Sequence, residues 1–372
     1  LAESLEYNTI ADVKLQDKEG LDQWFKPEVS AKLNILPVEG LSFTQTMGYE
    51  LRQYEAHEYR YSAHRTEVEN NRKGTGYLGF SKTENINSEG YFNYMNSFDK
   101  HNINATLGYS YYERNSQGFN MTNYNFPVEA TALWDIGTGS YNKLGQASMS
   151  SSKDITQKLL AYFARVNYDY DGKYIVSASY RRESSSKFAK ENRWGNFWSV
   201  SAGWRISDEP WMENASWIDD LKIRAAYGVT GNSDFSASYA SMSYGSDGYF
   251  MMPASGNYNI AYGPAVTLNP NLKWEEQLGW NFGLDFSLFD NRLYGKFDWY
   301  NRKVKDMLFS VSVPQPPYAL TSQMQNIGNL RNMGWEFEIG ADIVRNNNDW
   351  NYIKLYRSYK QTAQGDGQQK AL

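Results

Sequence analysis

A chain of 372 residues with 37 Lys and Arg against 42 Asp and Glu carries a formal charge of -5, and with a pI near 5.5 it offers no basic field for nucleic acid. Cysteine is absent, which excludes thiolate metal sites, disulfides and cysteine nucleophiles, and no stretch approaches the roughly 18 to 20 apolar residues of a spanning helix. Aromatic residues nevertheless reach 16%, with 30 Tyr and 29 Gly, inside a mean hydropathy of -0.68, a combination that suits a wall with one apolar and one wet face.

The opening run over residues 1–10 is acidic and polar and lacks the basic and apolar regions of a secretory signal, so a processed chain or an internal fragment is expected. Beyond it the dominant pattern is period-two alternation, the mark of strands whose two faces meet different surroundings. It predicts strands over 29–36, 41–51, 90–98 and 102–113. In 158–169, Leu160, Tyr162, Ala164, Val166 and Tyr168 alternate with Ala161, Phe163, Arg165, Asn167 and Asp169. In 173–184, Tyr174, Val176, Ala178 and Tyr180 oppose Ile175, Ser177, Ser179 and Arg181. The segment 194–205 sets Trp194, Asn196, Trp198, Val200, Ala202 and Trp204 against Gly195, Phe197, Ser199, Ser201, Gly203 and Arg205. Further strands are predicted over 220–230, where Ala225 opposes Ala226 and Arg224, and over 276–288, where Trp280 and Phe282 oppose Asn281 and Asp285. The last three are 292–304, 334–344, with Trp335 and Phe337 against Glu336 and Glu338, and 350–357.

Roughly twelve strands of about 8 to 13 residues fit the length needed to cross a bilayer at a tilt. The connections "PVEG", "DKH", "DYDGK", "FDNR" and "VRNNND" are short, whereas 52–89, 114–157, 231–275 and 306–333 are long. That is the asymmetry of a barrel with short periplasmic turns and long outer loops. The 185–193 and 206–219 connections fit their classes less cleanly, and "VPQPPYAL" in the last long loop argues against a central strand. The expected fold is therefore all-β, an antiparallel transmembrane β-barrel in part, over 1–357, with a polar, disordered tail over 358–372. Trp194, Trp198, Trp204, Trp280 and Trp335 are expected to form a lipid-facing girdle. Arg165, Arg181, Arg205, Arg224, Glu336 and Glu338 are expected to face a lumen. A soluble β-sandwich is the competing reading, but its strands are not expected to be so uniformly long or so rich in terminal aromatics.

Catalytic and cofactor motifs are weak. His57 and His64 lie in a polar stretch without further metal ligands, and His101 opens a strand after a tight turn. Gly74, Gly76 and Gly79 spell a dinucleotide fingerprint with no strand before it and no helix after it. Asp169 and Asp171 resemble the start of a calcium loop but lack the distal Glu, so a hairpin turn is expected. The carboxylate pairs Glu275 with Glu276 and Glu336 with Glu338 read as wall and lumen residues rather than a glycosidase pair. The sequons at Asn104, Asn120 and Asn214 carry meaning only in a secreted eukaryotic protein. No enzyme activity, metal or cofactor is expected. The Tyr-, Asn- and Gly-rich outer loops, such as residues 241–263, suit packing or substrate contact.

Several segments between about Ala161 and Trp350 resemble the SusC-like (SusC/RagA) family of TonB-dependent transporters. They are "YFARVNYDYDGKYIVSASYRRESSSKF", "RWGNFWSVSAGWRISDEPWM", "DDLKIRAAYGVTGN", "NPNLKWEEQLGWNFGLDFSLFDNRLYGKFDWYNRKVKDML" and "NIGNLRNMGWEFEIGADI". The amino-terminal third matches through "LPVEGLSFTQTMGYE" and "FDKHNINATLGYSYYE", while Trp198 stands where a proline is usual after Phe197. The resemblance implies a barrel of about 22 strands with a plug, together with a signal peptide, an immunoglobulin-like extension and a TonB-contacting segment, so this chain is expected to be a truncated or excised piece. It further implies import of oligosaccharide or peptide across the outer membrane of a Gram-negative bacterium. The implied partners are outer-membrane lipid, a SusD-like lipoprotein on the long loops, and TonB through a plug region outside this chain. A plug-less outer-membrane adhesin or structural barrel is the alternative.

Overall fold

Alternating side chains with β-branched and aromatic residues on one face and small or polar ones on the other fold as strands, and strands make up most of the described residues. A computed structural model of the chain describes residues 9–129, 135–140, 148–235, 244–251, 258–264, 269–315, 320–346 and 349–362. In chain order the first strands are β1 (Gln16–Phe25), β2 (Glu28–Asn34), β3 (Leu41–Arg60), β4 (Thr75–Phe98), β5 (His101–Tyr124) and β6 (Ser148–Tyr170). There follow β7 (Tyr174–Ser185), β8 (Trp194–Arg205), β9 (Ile218–Asn232), β10 (Tyr244–Met251), β11 (Tyr258–Pro264) and β12 (Glu275–Leu288). The last are β13 (Leu293–Lys305), β14 (Leu308–Ser312), β15 (Ser322–Asn326), β16 (Leu330–Asn346) and β17 (Asp349–Thr362). Two short helices, α1 (Thr9–Lys14) and α2 (Arg65–Glu69), accompany them. Among the described residues no helix is long and apolar enough to cross a membrane.

Thirteen strands form one sheet in the order β1-β3-β4-β5-β6-β7-β8-β9-β12-β13-β16-β17, with β2 also paired to β3. Along this path from β3 onward every strand pairs with a neighbour in sequence or across a long connection, β1 and β2 both pair with β3, and the two remaining pairs, β10-β11 and β14-β15, are separate hairpins inside long connections. The twelve strands expected from alternation correspond to β2 through β9, β12, β13, β16 and β17. The structure adds β1, separated from β2 by Lys26 and Pro27, where proline removes a ladder donor. It also lengthens several strands at their long-loop ends: β3 runs to Arg60 and β4 starts at Thr75, while β5 runs to Tyr124 and β6 starts at Ser148. At the carboxyl end β17 continues to Thr362, past the expected boundary at 357, and pairs there with Asn332 of β16. Residues 363–372 of the expected tail lie outside the described residues, as do Pro316 and Pro317 of the proline-rich segment.

The connections alternate between short, at 35–40, 99–100, 171–173 and 289–292, and long, at 61–74, 125–147, 233–274 and 306–329, while 186–193 is short for the long side and 206–217 long for the short side. Turn chemistry accounts for the short ones. Asp171 and Gly172 both take left-handed backbone, at φ 54° and 66°, and Lys173 N donates to Tyr170 O at 2.9 Å, the geometry that suits the right-handed twist of a hairpin. Neighbouring turns are also tied together. Asp171 N donates to Lys100 O, Arg205 N to Lys173 O, Phe289 N to Trp217 O, and Asp342 N to Arg292 O, at 2.7 to 2.9 Å.

The chain divides into two units, one of Leu1–Val29, Met47–Asn87 and Tyr112–Gln157, the other of Ser30–Thr46, Ser88–Tyr111 and Lys158–Leu372. In the first, Tyr59 and Phe126 are buried against Tyr61 and Ile136, and buried Glu67 of α2 accepts from Thr75 Oγ1 at 2.6 Å. In the second, Phe188, Phe197, Val229, Phe235, Leu272 and Trp274 cluster at the long-loop end. Trp274 Nε1 donates to Arg193 O at 2.9 Å, fastening the 269–274 segment to the start of β8. Phe197 sits between two glycines, since a Cβ on Gly195 or Gly231 would come within 2.4 or 2.1 Å of its ring.

Gly40 closes the 35–40 connection at φ +81°, where an added Cβ would lie 2.0 Å from Met95 O, and Gly40 O accepts from Met95 N at 2.9 Å. Gly40→Ala is therefore expected to cost more than about 1 kcal/mol, because it meets both a left-handed backbone and a fixed carbonyl. A lowered urea midpoint with an unchanged slope checks this; an unchanged midpoint would contradict it.

Candidate functional site

The two faces of the β6–β16 wall are the candidate functional surfaces, and strand register assembles each of them. One row pairs Tyr168 with Val176, Val176 with Ala202, Ala202 with Ala225, Ala225 with Phe282, Phe282 with Trp299, and Trp299 with Trp335. Seven consecutive sheet positions thus present an apolar side chain to the same side. The adjoining row pairs Asn167, Ser177, Ser201, Ala226, Asn281, Tyr300 and Gly334 in the same way and presents the opposite side. Gly334 leaves room for Tyr300, whose hydroxyl would otherwise lie 2.6 Å from a Cβ.

All five expected girdle tryptophans lie on the apolar face and are exposed: Trp194 39%, Trp198 43%, Trp204 40%, Trp280 46% and Trp335 51%. Three of them pack at a tilt against neighbouring rings. Trp280 stands 4.4 Å from Tyr227, Trp198 5.3 Å from Tyr227, and Trp335 5.4 Å from Phe297, centroid to centroid. Such cross-strand aromatic pairs contribute about 0.2 to 1 kcal/mol each. They leave the outer ring faces uncovered.

The six expected lumen residues share the opposite face but do not converge on one pocket. Arg165 pairs in register with Ser179. Arg181 reaches Glu183 at 2.6 Å and Ser110 at 3.2 Å. Arg205, at the short-turn end, is ion-paired with Asp220 at 3.3 Å and Asp208 at 3.7 Å. Glu338 pairs with Lys296 at 3.6 Å, and Glu336 lies in register with Asp298. Arg224 is the best anchored, since its Nε and Nη2 both donate to Asp285 at 2.8 Å and Nη2 also reaches Asp298 at 3.2 Å. Its guanidinium crosses over Gly283, where an added Cβ would lie 2.5 Å from Nη2. Part-exposed pairs of this kind contribute little net stability, on the order of 0 to 1 kcal/mol. At Arg224 the consequence is geometric: the forked bond to Asp285 fixes the orientation of the guanidinium.

Sequence reasoning named Arg224 but not its partners Asp285 and Asp298; both charges were visible on the polar face, and only register brings them to one arginine. It also passed over Glu209. That residue is buried at 8% exposure, and its Oε1 accepts from Tyr174 Oη at 2.5 Å and Trp204 Nε1 at 2.9 Å, with Lys173 Nζ 3.9 Å from Oε2.

The chain has counterparts among known proteins. The family model described as TonB dependent receptor-like, beta-barrel, matches residues 22–371. The chain belongs to that family. Within it, TonB-dependent receptor P39 of Formosa agariphila is 30% identical over 344 residues, covering 91% of this chain and 31% of that protein. TonB-dependent receptor SusC of Bacteroides thetaiotaomicron is 36% identical over 188 residues, covering 50% of this chain and 19% of that protein. The chain therefore spans about a third or less of these relatives. In fold it is similar to a chain of the RagAB peptide transporter, with a TM-score of 0.76 and 24% identity over 94% of this chain and 38% of that one.

In the TonB-dependent receptor frame the remaining motifs become structural. His64 caps α2 by accepting Thr66 N at 3.2 Å, His57 lies within β3, and His101 Nδ1 meets Tyr168 Oη at 2.8 Å. Asp169 Oδ2 accepts from Gly172 N at 3.1 Å, as a turn residue does. Glu275 Oε2 accepts from Leu308 N at 2.9 Å and so fixes the root of the β14-β15 hairpin. Gly74 takes φ +86° beneath the Tyr59 hydroxyl, a packing role rather than a phosphate cradle. Among the described residues no three His, Cys, Asp or Glu side chains group as metal ligands do.

Two donors, Tyr174 O–H first and the Trp204 indole N–H second, hold the Glu209 carboxyl below its ordinary range, with Lys173 adding to the effect. A depressed folded-state value adds stability above the ordinary carboxyl pKa, and that stability is lost as pH falls through the lowered value. Acidification into that range is expected to loosen the Trp204 environment, read by near-ultraviolet circular dichroism, while Glu209→Gln should show a weaker signal with no such pH step. An identical acid transition in both proteins would contradict the assignment.

Proposed function

We propose that this chain supplies part of the barrel wall of an outer-membrane, TonB-dependent importer in a Gram-negative bacterium, with its apolar face against lipid and its polar face toward the lumen. The observation that carries this reading is the unbroken apolar row from Tyr168 to Trp335, across seven neighbouring strands. A water-soluble surface has no use for a continuous exposed band of Trp, Phe, Val and Tyr, whereas hydrocarbon bounded by two interfaces favours one. The charged side chains Arg165, Arg181, Arg205, Arg224, Glu336 and Glu338 then line a wet interior, where their charge is inexpensive. Trp194, Trp198, Trp204, Trp280 and Trp335 serve as the girdle.

In the whole protein, the cargo is oligosaccharide or peptide, the long loops seat a SusD-like lipoprotein, and TonB acts through a plug outside this segment. Membership of the TonB-dependent receptor family supports this assembly, as do the relative named SusC and the fold shared with a chain of RagAB. The chain's own contribution is passive: a rigid wall and the roots of the outer loops.

Two measurements test the proposal. Ala225→Arg should cost about 2 to 4 kcal/mol in a lipid-refolding assay if that face meets mid-bilayer hydrocarbon, and Ala226→Arg, on the facing side, much less; equal losses would overturn the face assignment. In cells, an in-frame deletion of residues 276–344 from the whole gene should abolish growth on either neutral oligosaccharides or peptides supplied as sole nutrient. Unchanged growth on both would remove the import reading.

A further inference from the structure

The connection between β8 and β9, residues 206–217, is longer than a tight turn needs, and its geometry gives the extra length a purpose. β8 ends with Arg205 on the polar face, yet the chain then turns to the opposite side. Buried Glu209 bonds the Tyr174 hydroxyl at 2.5 Å and the Trp204 indole at 2.9 Å, both members of the apolar face, and Ile206 is buried with it. Two of the segment's three carboxylates are matched: Asp208 faces Arg205 at 3.7 Å and Glu209 faces Lys173 at 3.9 Å, while Glu213 is exposed; Asp220 of β9 joins Arg205 at 3.3 Å.

The rings are treated in the opposite way. Trp211 is 62% exposed, Trp217 52% and Phe289, in the neighbouring turn, 51%. Phe289 takes φ 58°, with Asp290 and Asn291 beside it at 58° and 59°, a left-handed run that a bulky residue adopts only when its surroundings hold it there. Here they do. Phe289 N donates to Trp217 O at 2.9 Å, the two rings stack at 6.0 Å, and Asp219 Oδ2 accepts from Asn291 N at 2.8 Å. Immediately inward, Ile218 pairs with Leu288, so the exposed aromatic pair continues the apolar rows past the end of the strands. Tryptophan, with an apolar body and one polar N–H, partitions to the layer between headgroups and acyl chains.

We propose that residues 206–217, together with Phe289, form a lipid anchor lying in the headgroup layer of the leaflet on the short-turn side, with Trp211 and Trp217 as its inserted groups. This rests on the membrane reading of the apolar face. Because the chain contains no cysteine, a single introduced thiol reports cleanly. Trp211→Cys, Val200→Cys at mid-wall and Ser201→Cys on the polar face each carry a polarity-sensitive fluorophore in the membrane-embedded protein. The label at 211 is expected to shift to the blue, lose most of its quenching by aqueous iodide, and be quenched more by nitroxide at headgroup depth than at acyl-chain depth. The label at 200 should respond chiefly to acyl-chain nitroxide, and the one at 201 to neither nitroxide. If the label at 200 ignores lipid quenchers, the membrane reading itself has failed and the anchor with it. If 200 responds but 211 stays open to iodide, the anchor alone is overturned. Shielding of 211 in native outer membranes but not in pure phospholipid vesicles would assign the turn to a protein partner and also overturn it.

Discussion

The structure depends on one constraint: continuous cross-strand pairing locks the parity of every residue. In an antiparallel wall the side chain period is two, so a slip of one residue in any strand would carry its whole apolar set to the opposite face. From β6 through β16 the register holds without such a slip, and Tyr168, Val176, Ala202, Ala225, Phe282, Trp299 and Trp335 stay in line. The bulges that do occur sit at ends, between Ser287 and Leu288 and between Asp342 and Val344, where they bend a strand without exchanging its faces.

Given locked parity, the two faces are free to solve different problems. On the apolar face the rings make modest pairwise contacts and leave about two fifths to a half of their surface exposed; further burial must come from outside the chain. On the polar face Lys222 pairs in register with Asp285, Asp285 with Lys296 and Lys296 with Glu338, so opposite charges alternate across four strands. Like charges directly opposite one another would destabilise such a pair, which gives the alternation a structural reason apart from any cargo. The long-loop end adds a third element, a small hydrophobic cluster around Phe188, Phe197 and Trp274. It gives the 186–193, 233–235 and 269–274 segments a common anchor without relying on a membrane.

Much of this was legible in the amino-acid sequence because a half-apolar strand writes its surroundings into alternate residues. β8 is the clearest case, with Trp, Val and Ala on one parity and Gly, Ser and Arg on the other. The alternation fades where polar residues occupy both parities of a strand. β1, "QDKEGLDQWF", is polar almost throughout and was not expected as a strand, and β3 continues from Arg52 to Arg60 through residues that carry no two-sided pattern. The hairpins β10-β11 and β14-β15 fall inside the long connections at 231–275 and 306–333 that the sequence reads as loops. Among the site residues, the sharing of one face by the five tryptophans and of the other by the four arginines follows from parity alone. Asp285 and Asp298 as joint partners of Arg224, and Glu209 beneath Trp204, depend on which strand lies beside which and on how a turn folds back, and parity does not encode either.

A nitroxide scan along β9, from Ile218 to Asn232, in the membrane-embedded protein measures the central claim most directly. Collision rates with oxygen, which concentrates in hydrocarbon, and with a water-soluble nickel chelate should oscillate out of phase with a period of two residues, oxygen peaking at Ile223, Ala225 and Tyr227 and the chelate at Arg224, Ala226 and Gly228. Both rates running in phase, or flat along the strand, would mean that the two faces share one environment and that the wall is not a membrane wall.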